Sequence, residues 1–266
     1  MKLSISNIGW DASHDTEVYA MMQKYGFTGL EIAPTRIFPE APYDVQKREL
    51  VKSWAIDLKK KYGFDIPSMQ SIWYGRQEKL FGSEEEREQL LLYTKKAIDF
   101  AKQAGIHNLV FGCPRNRVLE NQSDWKKGVL FFQSLGAYAV ENNTVIGMEA
   151  NPPIYNTNYI NTTKQAFALI DEVASEGFQL NFDMGTMIEN KEEVSILSGQ
   201  LHKVNHVHIS EPGLKVIEKR TQHQELAACL REEGYQGFVS IEMGKVEDMG
   251  LLENTMGYIA EMFGDR

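Results

Sequence analysis

Cysteine is scarce in this chain. Cys113 and Cys229 are the only two in 266 residues, too few for a disulfide scaffold, and they read as reduced thiols. Basic residues are outnumbered, with 28 Lys and Arg against 37 Asp and Glu and a net charge of −9. That balance speaks against nucleic acid or an anionic membrane as partner, while leaving room for a local basic pocket that takes a phosphate or carboxylate. No apolar run approaches the length of a membrane span. The N-terminus enters the alternating segment Lys2-Leu3-Ser4-Ile5-Ser6-Asn7-Ile8 with no signal-peptide core behind it, so the cytoplasm is the expected location. The phosphate-binding loop G-x-G-x-x-G of many open α/β sheets is missing. Linkers, low-complexity tracts and composition shifts are missing as well, and residues 1–266 read as a single domain. With 42% hydrophobic and 24% charged residues, the chain can bury a full core and still dissolve.

What is present is a recurring mark. Tyr25-Gly26-Phe27, Tyr62-Gly63-Phe64, Ala104-Gly105-Ile106, Glu176-Gly177-Phe178 and Glu233-Gly234-Tyr235 share one form. Each glycine follows an amphipathic stretch and precedes a short apolar run, as expected where a helix closes on a left-handed residue and a buried parallel strand begins. The helical stretches carry their own signals. Val51, Trp54, Leu58 and Tyr62 form a stripe, and Ser83 with Glu86 has the spacing of a capping box. Val18, Met21, Met22 and Tyr25 mark a shorter helix, and Phe167, Ile170 and Val173 another. Eight strand candidates follow: 2–8, 29–33, 65–71, 107–112, 144–150, 178–184, 203–209 and 237–243. Strands alternating with helices imply parallel βαβ units, and eight such units in this length predict a closed (β/α)8 TIM barrel. An open doubly wound sheet is the alternative.

In such a barrel the chemistry sits at the C-terminal ends of the strands. The last four candidates end Met148-Glu149-Ala150-Asn151, Phe182-Asp183-Met184-Gly185, His206-Val207-His208-Ile209-Ser210 and Ile241-Glu242-Met243-Gly244. Any one of these ionisable residues alone reads as a capped or solvated strand end. Four at successive strand ends read as a set. Three converging carboxylates need a counter-charge, and an imidazole joins them naturally as a neutral ligand. Glu149, Asp183, His208 and Glu242 are therefore expected to hold one divalent metal ion, Mn, Mg, Co or Zn, with the harder ions favoured by the oxygen-rich shell. His206 lies two residues from His208, either as its partner or packed deeper in the barrel, and the packed reading is preferred. The other histidines carry no pattern.

These strings, with Phe27-Thr28-Gly29-Leu30-Glu31-Ile32 at the second strand and Glu211 after the seventh, resemble the xylose-isomerase-like superfamily of sugar and sugar-phosphate isomerases and epimerases. The resemblance spans nearly the whole chain and is weak for substrate. It implies a one-metal site on the same four residues, with Glu149 and Glu242 also acting as acid and base on an enediolate. It further implies a small-molecule sugar or sugar phosphate as partner, and a homo-oligomer is common among such barrels. Two departures stand out. Thr186 occupies a position where ketose epimerases carry a substrate-contacting histidine, and Lys215 is the nearest cation to a position where they carry arginine.

Around the rim, Trp10, Trp73, Glu31, Gln70, Asn151, Glu211 and Lys215 are candidate substrate contacts, with Glu31 read equally as structural. Cys113-Pro114-Arg115-Asn116-Arg117 places two cations around a turn, where Arg115 reads either as a fork for phosphate or carboxylate or as part of a solvated loop. Two other enzymes compete. An endonuclease of the three-zinc type would need histidines where the third and fourth strands end in Gln70-Ser71 and Phe111-Gly112. A sugar or inosose-type dehydratase begins with the same proton removal. A non-catalytic sugar-binding barrel would not require two facing carboxylates.

Overall fold

The computed structural model describes residues 1–264. Eight strands run parallel: β1 (Lys2–Ser6), β2 (Gly29–Glu31), β3 (Ser68–Met69), β4 (Asn108–Phe111), β5 (Val145–Met148), β6 (Phe178–Asp183), β7 (Val204–Ile209) and β8 (Phe238–Ile241). The helices between and after them are α1 (Asp15–Lys24), α2 (Pro34–Ile37), α3 (Val45–Tyr62), α4 (Glu84–Ala104), α5 (Trp125–Glu141), α6 (Thr163–Val173), α7 (Met184–Asn190), α8 (Thr221–Glu232) and α9 (Met249–Phe263). Sheet order is β2-β1-β8-β7-β6-β5-β4-β3. The seam between β2 and β3 is joined by backbone bonds from Leu30 to Asp65 and Asp65 to Thr28 (both 2.9 Å), Ile32 to Ser68 (3.1 Å) and Gln70 to Ile32 (2.9 Å). The result is a nearly closed (β/α)8 TIM barrel. Its third strand is shorter than the run 65–71 suggests, because only Ser68 and Met69 pair in register with β4.

The strands are buried on both faces, with apolar side chains packed under the covering helices and several polar ones, such as Ser68, Asn108 and Asn181, turned into the barrel interior. Helix α4 buries Leu90, Ala97, Ile98 and Ala101, and fully burying a Leu or Ile side chain stabilises by roughly 1.5–3 kcal/mol. The helix starts on the reciprocal cap that its sequence predicts. Ser83 Oγ accepts from the Glu86 amide at 3.1 Å, and Glu86 Oε2 accepts from the Ser83 amide at 2.9 Å. Gly63 and Gly105 close their helices in the left-handed region, at φ of 82° and 70°. Gly177 departs from this pattern. Helix α6 closes on Ala174 instead, and Gly177 is required because a Cβ there would lie 2.1 Å from the Gly136 carbonyl oxygen. No helix among the described residues is long and apolar enough to cross a membrane.

The middle of the barrel is polar. Asn108 Nδ2 donates to Ser68 Oγ (2.9 Å) and Asn181 Oδ1 (3.2 Å), while Asn205 Nδ2 donates to Asn108 Oδ1 (2.7 Å). This layer of amides is the floor on which the C-terminal strand ends are set. A register shift between Leu180 and Asn181 interrupts β6 just before Asp183, the kind of irregularity that re-aims side chains beside functional sites.

Candidate metal centre

Each of the four expected ligands stands at a strand end. Asp183 is the last residue of β6 and His208 lies one residue from the end of β7, while Glu149 and Glu242 each follow their strand by one. The two glutamates are still held by the sheet, since the Glu149 amide donates to Phe111 O (3.1 Å) and the Glu242 amide to Ile209 O (2.9 Å). One donor atom from each of Glu149, Asp183, His208 and Glu242 lies within 4.8 Å of the others. A cavity of about 220 Å³ opens over three of them, with Gln70, Tyr155 and Leu214 also in its wall. A larger hollow of about 960 Å³ lies at the opposite end of the barrel, among Lys2, Phe64, His107 and Phe238, away from this donor set.

Every donor is aimed by a neighbour. His208 Nε2 meets Glu31 Oε2 at 2.8 Å, while its Nδ1 faces Glu149 Oε2 and Glu242 Oε2, each at 3.2 Å. An imidazole that gives its outer N–H to a carboxylate keeps a lone pair on the other nitrogen, the arrangement usual for metal-bound histidine. Glu149 accepts from Asn151 Nδ2 (2.9 Å) and Asn181 Nδ2 (3.0 Å), and Glu242 accepts from Gln70 Nε2 (3.0 Å). Asp183 accepts from the Thr186 amide at 2.6 Å, which also caps α7, and from the Ser210 hydroxyl.

The charge state reflects crowding. Burial first, then the charge of Glu149, pushes the Asp183 carboxyl up to about 6. Burial likewise pushes Glu242 up to about 7, against the pull of His208. Burial also works against charge on His208, but Glu31 and Glu242 outweigh it and raise the imidazole well above its ordinary value. At Glu31 burial is again the largest effect, and the imidazoles of His208 and His206 overcome it, holding the carboxyl well below the usual range. Three carboxylates around one imidazole are short of positive charge, and a divalent cation fits that deficit.

Two consequences can be measured. In the metal-free protein Asp183 and Glu242 keep protons that the unfolded chain releases near its ordinary carboxyl values of 3.8 and 4.5. At these two carboxyls the native state binds more protons than the unfolded state, so their contribution to metal-free stability is lost as pH rises from about 4 to about 7, while buried His206 and His223, both lowered by burial, act in the opposite sense. Added divalent ion should reverse that decline, because its ligands must be deprotonated. The wild-type Tm set against that of an Asp183→Asn, Glu242→Gln variant isolates these carboxyls, and a difference that grows in favour of the wild type across this window would contradict the assignment. Separately, Glu31→Gln should lower Mn2+ affinity by about 10–100-fold, the usual effect of losing a carboxylate behind a ligating histidine. Calorimetric titration checks this, and unchanged affinity would leave Glu31 a packing residue only.

The remaining candidates divide. Gln70, Asn151 and Glu211 line the cavity, but Glu211 is committed to Arg220, which donates from Nε (2.7 Å) and Nη2 (2.6 Å). Glu31 is fully buried beneath His208, and His206 lies beside it, with Nε2 at 3.3 Å from Glu31 Oε2. Trp10 is not a cavity wall. It packs in the core with Nε1 bonded to Asp15 Oδ1 at 2.8 Å. Trp73 is buried likewise, against Phe111. Arg115 and Lys215 are exposed and stand outside the lining. The turn after β4 instead brings in Arg117, which is fully buried. Its Nη1 donates to Tyr159 O (2.9 Å), and its Nη2 to Glu149 O (2.8 Å) and Asn151 Oδ1 (2.6 Å). Asn181 and Tyr155 are residues that sequence reasoning does not single out, and Arg117 enters it only as the second cation of this turn. The thiol of Cys113 also lines the cavity, and burial pushes it up to about 12, which disfavours the thiolate.

This barrel belongs to a known family. The chain matches the xylose isomerase-like TIM barrel family over residues 19–262 and is a member of it. Among solved structures it resembles the 3-keto-D-glucoside 4-epimerase of E. coli (18% identity, TM-score 0.76, 98% of this chain and 99% of that one). It also resembles a D-psicose 3-epimerase crystallised in the presence of D-fructose (15% identity, TM-score 0.79, all of both chains). A third similar structure is a probable 3-DHS dehydratase from Bacillus anthracis (16% identity, TM-score 0.70, all of both chains). At these identities the likeness is one of fold. No curated protein matches the sequence.

Proposed function

We propose that this protein is a metal-dependent sugar isomerase or epimerase that moves a carbon-bound proton next to a carbonyl. The observation that carries the reading is the convergence of Glu149, Asp183, His208 and Glu242, their donor atoms within 4.8 Å of one another at one end of the barrel. These four would hold the ion, which when bound would polarise a carbonyl oxygen and its neighbouring hydroxyl. Glu149 and Glu242 come from strands separated by β6 and β7. One carboxylate removes the proton from the carbon bearing the hydroxyl, and the electron pair moves into an enediolate of the substrate. Return of a proton by the other carboxylate to the opposite face gives the epimer, and return by the first to the adjacent carbon, with the hydroxyl proton passing to the former carbonyl oxygen, gives the aldose or ketose isomer. Asn151, Asn181 and Gln70 orient the two carboxylates through the bonds given above.

The test is solvent exchange. The Mn2+-loaded protein is incubated with a panel of ketoses and aldoses in D2O, and deuterium at carbon is read by NMR. Incorporation beside the carbonyl, with appearance of an epimer or isomer, is the expected result. An unsaturated product would point to dehydration from the same first step, and no exchange with any sugar would overturn the reading.

A further inference from the structure

The substrate's charge can be read from the wall of the cavity, and this inference rests on the reaction proposed above. The lining carries four carboxylates, Glu149, Asp183, Glu211 and Glu242, and among the described residues no Lys or Arg. One divalent ion does not turn such a wall positive. The cations nearby are already spent or turned away. Arg117 gives both terminal nitrogens to the chain's own acceptors, Arg220 is forked onto Glu211, and Arg115 and Lys215 are exposed outside the lining.

Several backbone donors are spent as well. Barrels that take phosphorylated substrates commonly hold the phosphate with amides of the loops after strands seven and eight and a short helix N-terminus. Here Pro212 has no N–H, the Gly213 amide donates to Tyr155 Oη (2.8 Å), and the Leu214 amide to Glu211 O (2.9 Å). After β8 the Gly244 amide donates to Leu214 O (2.8 Å) and the Val246 amide to Gly9 O (3.0 Å). Helix α9 begins under the Asp248 carboxylate, which accepts from Gly250 and Leu251. These six amides, at the place where a phosphate would be held, are bonded to the protein itself. What the wall offers is suited to hydroxyl groups: the Tyr155 phenol, which accepts from Gly213 and keeps its own O–H to donate, beside carboxylate acceptors. The volume of about 220 Å³ is below the roughly 300–1,000 Å³ of pockets for drug-sized ligands, a fit for one sugar ring or open chain.

We infer that the substrate is an uncharged monosaccharide-sized keto or aldo sugar, and that phosphate esters and sugar acids are excluded. The experiment measures affinity first, independent of turnover. Thermal stabilisation and calorimetric titration of the Mn2+-loaded wild type are run with free ketopentoses and ketohexoses and with the same sugars as terminal phosphates, inorganic phosphate serving as control. Free sugars should bind more tightly than their esters by about tenfold or more, the scale of an uncompensated like-charge approach. Equal or tighter binding of the esters, or binding of neither form, overturns the inference. Deuterium exchange on the same panel then tests the reaction separately. Exchange with esters but not free sugars overturns the inference and leaves the reaction class standing. Preferential binding of free sugars without exchange keeps the inference and removes the reaction. Leu214→Arg, which adds a cation to the cavity wall at a residue 38% exposed, should raise the relative affinity for the esters; an unchanged ratio counts against the charge argument.

Discussion

Glu242→Gln should lower proton exchange at the substrate carbon by about 10²–10⁴-fold, the usual contribution of a positioned general base. The substitution keeps size and leaves an amide oxygen for the bond from Gln70 Nε2, but it removes the only atom at this strand end that can take a proton. It also removes one donor from the metal set, so the comparison is made at saturating Mn2+, with occupancy measured alongside. The fold should survive. Burial pushes this carboxyl up to about 7, so the native metal-free state already disfavours its charge, and a neutral amide relieves that cost. The metal-free variant should therefore melt no lower than the wild type. Wild-type exchange by the fully loaded variant would remove Glu242 from the acid–base pair.

The second large effect is expected at a residue that touches no ion. Arg117→Met should destabilise the fold by about 3–5 kcal/mol, the scale seen when one partner of a buried polar network is deleted. Three buried acceptors lose their donor together: Tyr159 O, Glu149 O and Asn151 Oδ1. At roughly 2–4 °C per kcal/mol for a chain of this class, the melting temperature should fall by about 6–20 °C. Arg117→Lys should not rescue it, because a single ammonium cannot reproduce the fork that serves two carbonyls and a side-chain oxygen along the loop after β5. Arg115→Met, two residues earlier on the exposed side of the same turn, should change stability by no more than about 0.5 kcal/mol. Thermal or urea unfolding of the three variants decides the matter, and equal losses at Arg115 and Arg117 would contradict this placement.

The same pair of arginines shows where the sequence could be read and where it could not. Strand ends were legible because a charge in a run of β-formers is conspicuous, and the parallel fold carries all such ends to one face. Glu149, Asp183, His208 and Glu242 were found that way. Whether Arg115 or Arg117 turns inward depends on the short helical turn Pro114–Asn116, and a spacing of two does not reveal that. Trp10 misleads for a similar reason, since a tryptophan beside a strand end packs inward or outward according to a partner, Asp15, supplied by the next helix. Gly177 has the sequence form of a helix stop but answers to the carbonyl of Gly136, forty-one positions earlier in the chain. Asn181 hid inside β6 as an ordinary polar residue, and only the register shift beside it and the amides of Asn108 and Asn205 disclose its place under Glu149 and His208.

The central claim is that four strand-end side chains hold one divalent ion, and metal content with metal-dependent melting tests it most directly. Wild type and His208→Ala are stripped of metal, reloaded with Mn2+, and assayed by elemental analysis and thermal unfolding. The account predicts about one ion per wild-type chain and a stabilisation of about 2.7 kcal/mol with free metal a hundredfold above its dissociation constant, both lost in the variant. A wild type that neither retains nor responds to Mn2+, Mg2+, Co2+ or Zn2+ would contradict it and leave only the barrel.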